Sequence, residues 1–367
     1  SLTSTIGVSV YIVILVLLFG LYLYTYRRKL LDNLRHVLFF TILMALVISA
    51  AFLVLRHFSA SYIYLIPFAW VPIITRVFYD SRTAIFVHII TVFIVSIAAP
   101  APYVFILSQV ITGVVAVISL RDMTQRAQLA QTALFTFLMY SVVYTATTLL
   151  VTGSIENVEY NYYIYFAINA VLVICAYGLI FLFERTFGLV SNITLVELTN
   201  VNSNLMLAFA EKAPGTFQHS LQVSNLATEA AKRIGAKVLL VRTGALYHDI
   251  GKMAHPEYFI ENQSGINPLQ SMPYAEAAKV IISHVEDGER IARKHHLPEL
   301  IVHFIRSHHG TSVTRYFYNS AVNAAKSEGK TAADVRKEDY AYPGPKPSTK
   351  EAAILMMADA IEARSRT

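Results

Sequence analysis

The sequence predicts an all-α chain: a polytopic seven-helix membrane bundle followed by an all-helical cytoplasmic domain. Three observations carry that reading. Hydrophobic residues make up 55% of the 367 and charged residues only 15%. Only 14 of the 54 Asp, Glu, Lys and Arg residues lie before Glu184, so an oily first half precedes a half of ordinary soluble composition. Nine of the twelve histidines fall between His219 and His309, where the apolar pattern is helical. The expected organisation is a seven-transmembrane region over 1–185, a helical linker over 186–212 and a second domain over 213–367.

A membrane span needs about 20 mainly apolar residues. Seven runs qualify: Ile6–Tyr26, His36–Leu55, Ser61–Tyr79, Thr83–Ala99, Tyr103–Leu120, Gln131–Val151 and Tyr162–Phe183. Pro67 and Pro72 interrupt the third and the fourth is short. Spans tolerate such features where neighbouring helices satisfy the backbone.

Lys and Arg in short loops set orientation. Arg27, Arg28, Lys29 and Arg35 follow the first run, Arg76 and Arg82 flank the end of the third, Arg121 and Arg126 follow the fifth, and Arg185 the seventh. These alternate loops share one side, expected to be the cytoplasm. The opposite loops hold Arg56 with His57, then Pro100-Ala101-Pro102, then Glu156 and Glu159. Seven spans place the first residue outside and the second domain inside. The chain opens on a span without a start Met and runs to Thr367 without a structural stop, so truncation at both ends, with an extracellular region removed, is expected.

Other classes are disfavoured. A formal charge of +6 is ordinary for a membrane protein with basic flanks and points to no DNA partner. Cys175 is the only cysteine, which rules out an internal disulfide and a Cys-based zinc site. His88, Gln109 and Asn169 lie inside spans, where a polar group either marks a ligand path or bonds one helix to another. Ion transport would need paired carboxylates or charge chains, which the spans lack.

In the linker, Thr194, Leu198, Val201, Leu205 and Ala208 fall at alternating four- and three-residue steps. That stripe suits a homodimer helix carrying a signal to the second domain, and equally one face of an ordinary amphipathic helix.

The second domain carries the chemistry. His219, the pair His248-Asp249, His284, the pair His308-His309, and Asp359 all lie in helix-like apolar contexts. Leu221, Val223, Leu226 and Ala230 follow His219 with helical periodicity. Gly251 is placed to end the helix leading to His248. Ser348-Thr349-Lys350-Glu351 reads as a capping box before Asp359. One metal ion is then expected at His219, His248, Asp249 and Asp359, and a second at Asp249, His284, His308 and His309. Asp249 bridges, because a carboxylate has two oxygens and an imidazole offers one free nitrogen. A water held between two such ions ionises near neutral pH and attacks phosphorus in line. The nitrogen and oxygen ligands suit Fe or Mn, with Zn an alternative. Lys252 holds a phosphate oxygen if the turn after Asp249 persists, or is a surface lysine beyond a helix end. His255, His295, His296 and His303 lie near polar residues and are expected at the surface.

These residues resemble the HD-domain metal-dependent phosphohydrolases, whose signature is His…His-Asp…Asp. His284 and His308-His309 resemble the dinuclear branch. Ala213-Pro214-Gly215-Thr216, His248-Asp249-Ile250-Gly251-Lys252, Phe259-Ile260-Glu261-Asn262-Gln263, His308-His309-Gly310-Thr311 and Tyr342-Pro343-Gly344-Pro345-Lys346-Pro347 are similar to the bacterial seven-transmembrane HD family. Its PgpH-type members are cyclic di-AMP phosphodiesterases. The resemblance implies cleavage of cyclic di-AMP to linear pApA, with Asp249 and Lys252 catalytic and Lys252, Thr311, Tyr342 and Gly344 at the substrate. Gln218 stands where many relatives have a second His. The Tyr342–Pro347 loop is a candidate lid or base contact, or a Pro-rich surface loop. Two other functions stay open: a (p)ppGpp or other nucleotide phosphohydrolase, and a membrane receptor whose HD domain only binds nucleotide. The regulatory ligand, extracellular or in the bilayer, is not named by the sequence.

Overall fold

The computed structural model describes residues 2–120, 123–263, 265 and 267–365, so Arg121 of the orientation argument and Thr367 lie outside the described residues. The chain divides into two compact units, Ser1–Ile193 and Thr194–Thr367. Both are helical, and among the described residues the β-structure is one isolated bridge, Val313 with Ala341.

The first unit holds α1 (Leu2–Tyr26), α2 (Arg28–Leu31), α3 (Leu34–His57), a 3-10 segment (Ala60–Leu65), α4 (Trp70–Phe78), α5 (Ser81–Ser96), α6 (Pro102–Ser119), α7 (Ala127–Thr152), α8 (Asn161–Ile174) and α9 (Ala176–Phe187). Among the described residues six stretches are long and apolar enough to cross a membrane, α8 and α9 together making the last. The fourth expected run forms α5, with 16 residues. That is about 24 Å of helix against a hydrocarbon core of roughly 30 Å. It is also heavily enclosed, burying Thr83, Val87, His88, Thr91, Val92 and Val95. Asp80 caps it, accepting from the backbone of Arg82 and Thr83, and pairs with Arg27 at 2.7 Å.

The third run bends where its prolines require. Pro67 lies outside the helices, and Pro72 sits in the first turn of α4, where no intrahelical N–H partner is lost. Asn169 donates to the carbonyls of Tyr64 and Ile66, which the break leaves without helical partners, at 2.9 and 2.8 Å. The Trp70 indole donates to the Leu172 carbonyl at 2.8 Å. His88 packs over Gly113 and donates from Nε2 to the Gln109 carbonyl at 2.8 Å, while the Gln109 side chain accepts from Tyr140. The intramembrane polar residues therefore bond one segment to another.

The second unit holds α10 (Asn192–Leu198, which begins just before it), α11 (Asn204–Lys212), α12 (Pro214–Arg233), α13 (Val238–Tyr247), α14 (Tyr274–Ile282), α15 (His284–Lys294), α16 (Glu299–Ser307), α17 (Arg315–Ser327) and α18 (Lys350–Ser365), with short 3-10 turns between α13 and α14. The linker is not one helix. It breaks over 199–203, where Asn202 N bonds Asn200 Oδ1 and Ser203 caps α11 through Met206 N. Asn and Ser side chains offer the backbone these local bonds in place of helical ones.

Three local expectations shift. The buried stripe of α12 is His219, Val223, Ala227 and Ala231, while Leu226 and Ala230 are exposed, because His219 faces inward and fixes the phase. Thr349, not Ser348, caps α18 through Ala352 N, and Glu351 accepts from Lys237 N. α13 ends at Tyr247 and its continuation tightens into a 3-10 turn over Ile250–Met253. Gly251 serves that turn by close approach: a Cβ there would lie 1.8 Å from the His284 carbonyl oxygen. The core under the site joins Val223, Ala227, Val241, Ala245, Phe304, Ile354, Leu355 and Ala358 from four helices.

Candidate metal centre

Three helices and the ends of two others bring the seven expected ligands together. His219 comes from α12, and His248 and Asp249 from the end of α13. His284 opens α15, His308 and His309 follow α16, and Asp359 lies in α18. They form two groups in which ligand atoms lie within 4.8 Å of one another: Asp249, His284, His308 and His309, and His219, His248 and Asp359.

Asp249 stands between them. Its Oδ2 is 3.6 Å from His219 Nε2 and 3.3 Å from His248 Nε2. Its Oδ1 is 3.3 Å from His284 Nε2 and 3.5 Å from His308 Nε2. Asp359 Oδ1 lies 3.0 Å from His219 Nε2 and 3.6 Å from His248 Nε2, and Oδ2 lies 3.9 Å from His309 Nδ1. Asp249 thus turns one carboxylate oxygen toward each group.

The ring tautomers are set by local backbone. His248, His284 and His308 each place Nδ1 on the carbonyl three residues earlier, Ala245, Ile281 and Ile305, at 2.8, 2.6 and 2.7 Å. A carbonyl can only accept, so Nδ1 donates and Nε2 is left for the centre. His219 differs, its Nδ1 being held by the Glu362 carboxylate.

Burial opposes a charge on His248, but Asp249 and Asp359 outweigh it and push its pKa up to about 10. Burial also opposes the Asp249 carboxylate, yet Lys252 and His248 hold its pKa well below the usual range. Asp359 is likewise held low against burial, by His219 and His248. Burial lowers His308 and, further, His309, keeping both imidazoles neutral. The carboxylates of Asp249 and Asp359 and the neutral imidazoles of His308 and His309 are donors of the kind a divalent cation takes, and such an ion would displace the proton that the two carboxylates hold on His248. His248 Nε2 and Asp249 Oδ1 are buried without a hydrogen-bond partner, which also fits residues shaped around an ion.

Lys252 is not a surface lysine. Its ammonium lies 2.7 Å from Asp249 Oδ2 and 2.9 Å from Glu261 Oε1, over the Phe259 ring. Glu261 also accepts from Thr216 Oγ1 at 3.0 Å, and Asn262 accepts from Thr216 N. Tyr342 is buried against His309, with ring centroids 4.2 Å apart. It is placed by backbone pairing of Tyr342 N with the Ser312 carbonyl and Thr314 N with the Tyr340 carbonyl. Thr311 is exposed, and Gly344 adopts φ 85° beside it. Gln218 is exposed. His255, His295 and His296 are exposed, and half-buried His303 meets Ser348. None of these five residues is in either group. Sequence reasoning missed Glu362 and Glu261. For Glu362 a signal was present: it lies one turn after Asp359, on the same helix face.

The family described as 7TM receptor with intracellular HD hydrolase matches residues 2–191, and the HD domain family matches residues 216–364. The chain belongs to the 7TM receptor family with an intracellular HD hydrolase. It is a multi-pass membrane protein with a C-terminal HD domain, and that domain implies divalent-metal binding at a buried His/Asp cluster. Among curated relatives, the cyclic-di-AMP phosphodiesterase PgpH of Listeria monocytogenes serotype 1/2a (strain 10403S) is 35% identical over 319 residues, 84% of this chain and 43% of that protein. The protein of the same name from Bacillus subtilis (strain 168) is 34% identical over 316 residues, 83% of this chain and 43% of that one. The chain therefore spans less than half the length of these relatives. A crystal structure of the L. monocytogenes PgpH HD domain in complex with cyclic-di-AMP covers 45% of this chain and 73% of its own, at 44% identity and a TM-score of 0.42.

Proposed function

We propose that this chain is a metal-dependent phosphodiesterase that hydrolyses cyclic di-AMP to linear pApA. The observation that carries the reaction class is Asp249, which turns one carboxylate oxygen to each of two ligand groups. The substrate follows from the curated relatives named for cyclic-di-AMP phosphodiesterase activity.

Two divalent ions, Fe or Mn by the ligand set, would supply an activated water and stabilise charge developing on the phosphate. His219, His248, Asp249 and Asp359 would hold one, and Asp249, His284, His308 and His309 the other. Lys252 is poised as a fixed positive charge beside Asp249, suited to a phosphate oxygen. Tyr342 presents an aromatic ring at the edge of the centre, suited to stacking on a base. Thr311 and Gly344 line the same loop pair and complete the substrate contacts.

We infer that the membrane region regulates the site through the segment before α12. The Tyr247 hydroxyl donates to the Leu198 carbonyl at 2.9 Å, and Tyr247 directly precedes His248. A shift of 194–198 would act on the helix end that carries two ligands.

A substrate panel tests the function. Protein in detergent is offered cyclic di-AMP, cyclic di-GMP and ppGpp, with Asp249→Ala alongside. Cyclic di-AMP should turn over fastest, yielding pApA, and the variant should lose turnover while keeping its helical circular dichroism. Preference for ppGpp would overturn the substrate, and full turnover by the variant would overturn the mechanism. Binding of cyclic di-AMP without any turnover would favour a receptor role.

A further inference from the structure

We propose that Glu362 is a positioning residue for His219 and makes the His219 subsite the tighter of the two. This rests on the two-metal reading above. Three of the ligand imidazoles are oriented by a neutral backbone carbonyl. His219 alone among the described ligands is oriented by a carboxylate, that of Glu362. Glu362 is itself buried, at 6% exposure, so its charge acts through protein rather than water.

Helical spacing explains the pairing. Asp359 and Glu362 lie three residues apart in α18 and share a face. Asp359 Oδ1 meets His219 Nε2 at 3.0 Å, and Glu362 meets Nδ1 on the opposite edge of the same ring. One helix therefore clamps the imidazole from both sides. With Nδ1–H donating to the Glu362 carboxylate, the ring turns Nε2 to the centre, and a carboxylate held behind a ligating imidazole strengthens its hold on a metal.

The two subsites differ in charge as a result. Around His219 and His248 stand Asp359, one oxygen of Asp249 and, behind the ring, Glu362. Around His284, His308 and His309 stand the other oxygen of Asp249 and, farther off, Asp359 Oδ2 at 3.9 Å from His309 Nδ1, with carbonyls behind two of the rings. A divalent cation is drawn more strongly to the first, so the two ions load in sequence and the second exchanges more readily.

The test is a Mn2+ titration of the full chain in detergent after chelator stripping, read by the loss of the free-ion electron paramagnetic resonance signal. Wild type should bind two ions in two unequal steps. Glu362→Gln keeps the volume and removes the charge, and should weaken the tight step by about 10–100-fold while leaving the weak step in place. Glu362→Asp keeps the charge on a shorter arm and should fall between them, which also serves if the Gln variant folds poorly. Identical two-step titrations in wild type and Glu362→Gln would overturn the proposal. Fewer than two ions in wild type would instead overturn the two-metal reading.

Discussion

The backbone of Gly251 lies against that of His284: a Cβ at 251 would stand 1.8 Å from the His284 carbonyl oxygen and 2.5 Å from Gly288 N. The turn carrying Asp249 and the helix carrying His284 are therefore in register only while residue 251 has no side chain. Gly251→Ala should destabilise the HD domain by about 1–3 kcal/mol, the usual cost of overpacking. It should also lower the metal content toward one ion per chain, because the His284 group is the one pushed away. Thermal unfolding and elemental analysis measure the two effects. A variant with unchanged melting temperature and metal content would show that α15 moves freely.

Stripping the metal should destabilise the same domain. A ligand present at about 100 times its Kd stabilises the folded state by about 2.7 kcal/mol. Chelator-treated protein should therefore melt several degrees lower, and Mn2+ or Fe2+ should restore both melting temperature and turnover. Mg2+ should restore less, since imidazole-rich sites suit it poorly. Equal melting curves with and without chelator would count against a metal-filled centre.

Lys252 bridges Asp249 and Glu261 in a nearly dry setting. Lys252→Met leaves two carboxylates facing each other and should cost about 3–5 kcal/mol, as breaking a buried pair does. Adding Glu261→Gln to it should recover part of that loss. Burial works against the Glu261 carboxylate, but Lys252 holds its pKa below the ordinary value. Its share of stability is therefore complete above the unfolded-state pKa of about 4.3 and is lost as pH falls through the lower folded value. Wild type should lose more stability than Glu261→Gln between about pH 5 and pH 3. Parallel pH profiles would refute that assignment.

Asn169 holds the bent third segment of the membrane unit through the carbonyls of Tyr64 and Ile66. Asn169→Leu should destabilise this unit by about 0.6–1.7 kcal/mol, the range found for hydrogen bonds between membrane helices. Unfolding in a graded detergent mixture would measure it. A neutral or stabilising outcome would mean that the freed carbonyls find other donors.

Much of this molecule was legible because its chemistry is written in scarce residues. Histidine is uncommon, so the spacing of His219, His248, His284 and His308-His309 stood out without any fold. Glu261 did not, since carboxylates are ordinary at surfaces and only packing shows which ones turn inward, and Glu362 was marked only by its place one turn after Asp359. Hydropathy located the membrane helices, and Pro67 and Pro72 the interruption of the third, but not the bonds that hold the bend, which come from Asn169 more than a hundred residues later. The linker break was written in Asn200, Asn202 and Ser203, but an apolar stripe running across them read as one helix. Gly251 looked like a helix stop because its neighbour across space, the His284 backbone, is invisible to local sequence.

The α18 helix adds a consequence of order in time. It supplies Asp359 to a partner, His219, made 140 residues earlier. At about 5–20 residues per second, a ribosome needs roughly 7–28 s to make that stretch. Until α18 emerges and docks, the earlier histidines have their own carboxylate, Asp249, but not the second one. A nascent or prematurely terminated chain can thus enter the membrane and fold its first helices while the cluster still lacks its second carboxylate, and completion of the cluster marks that synthesis has passed Asp359.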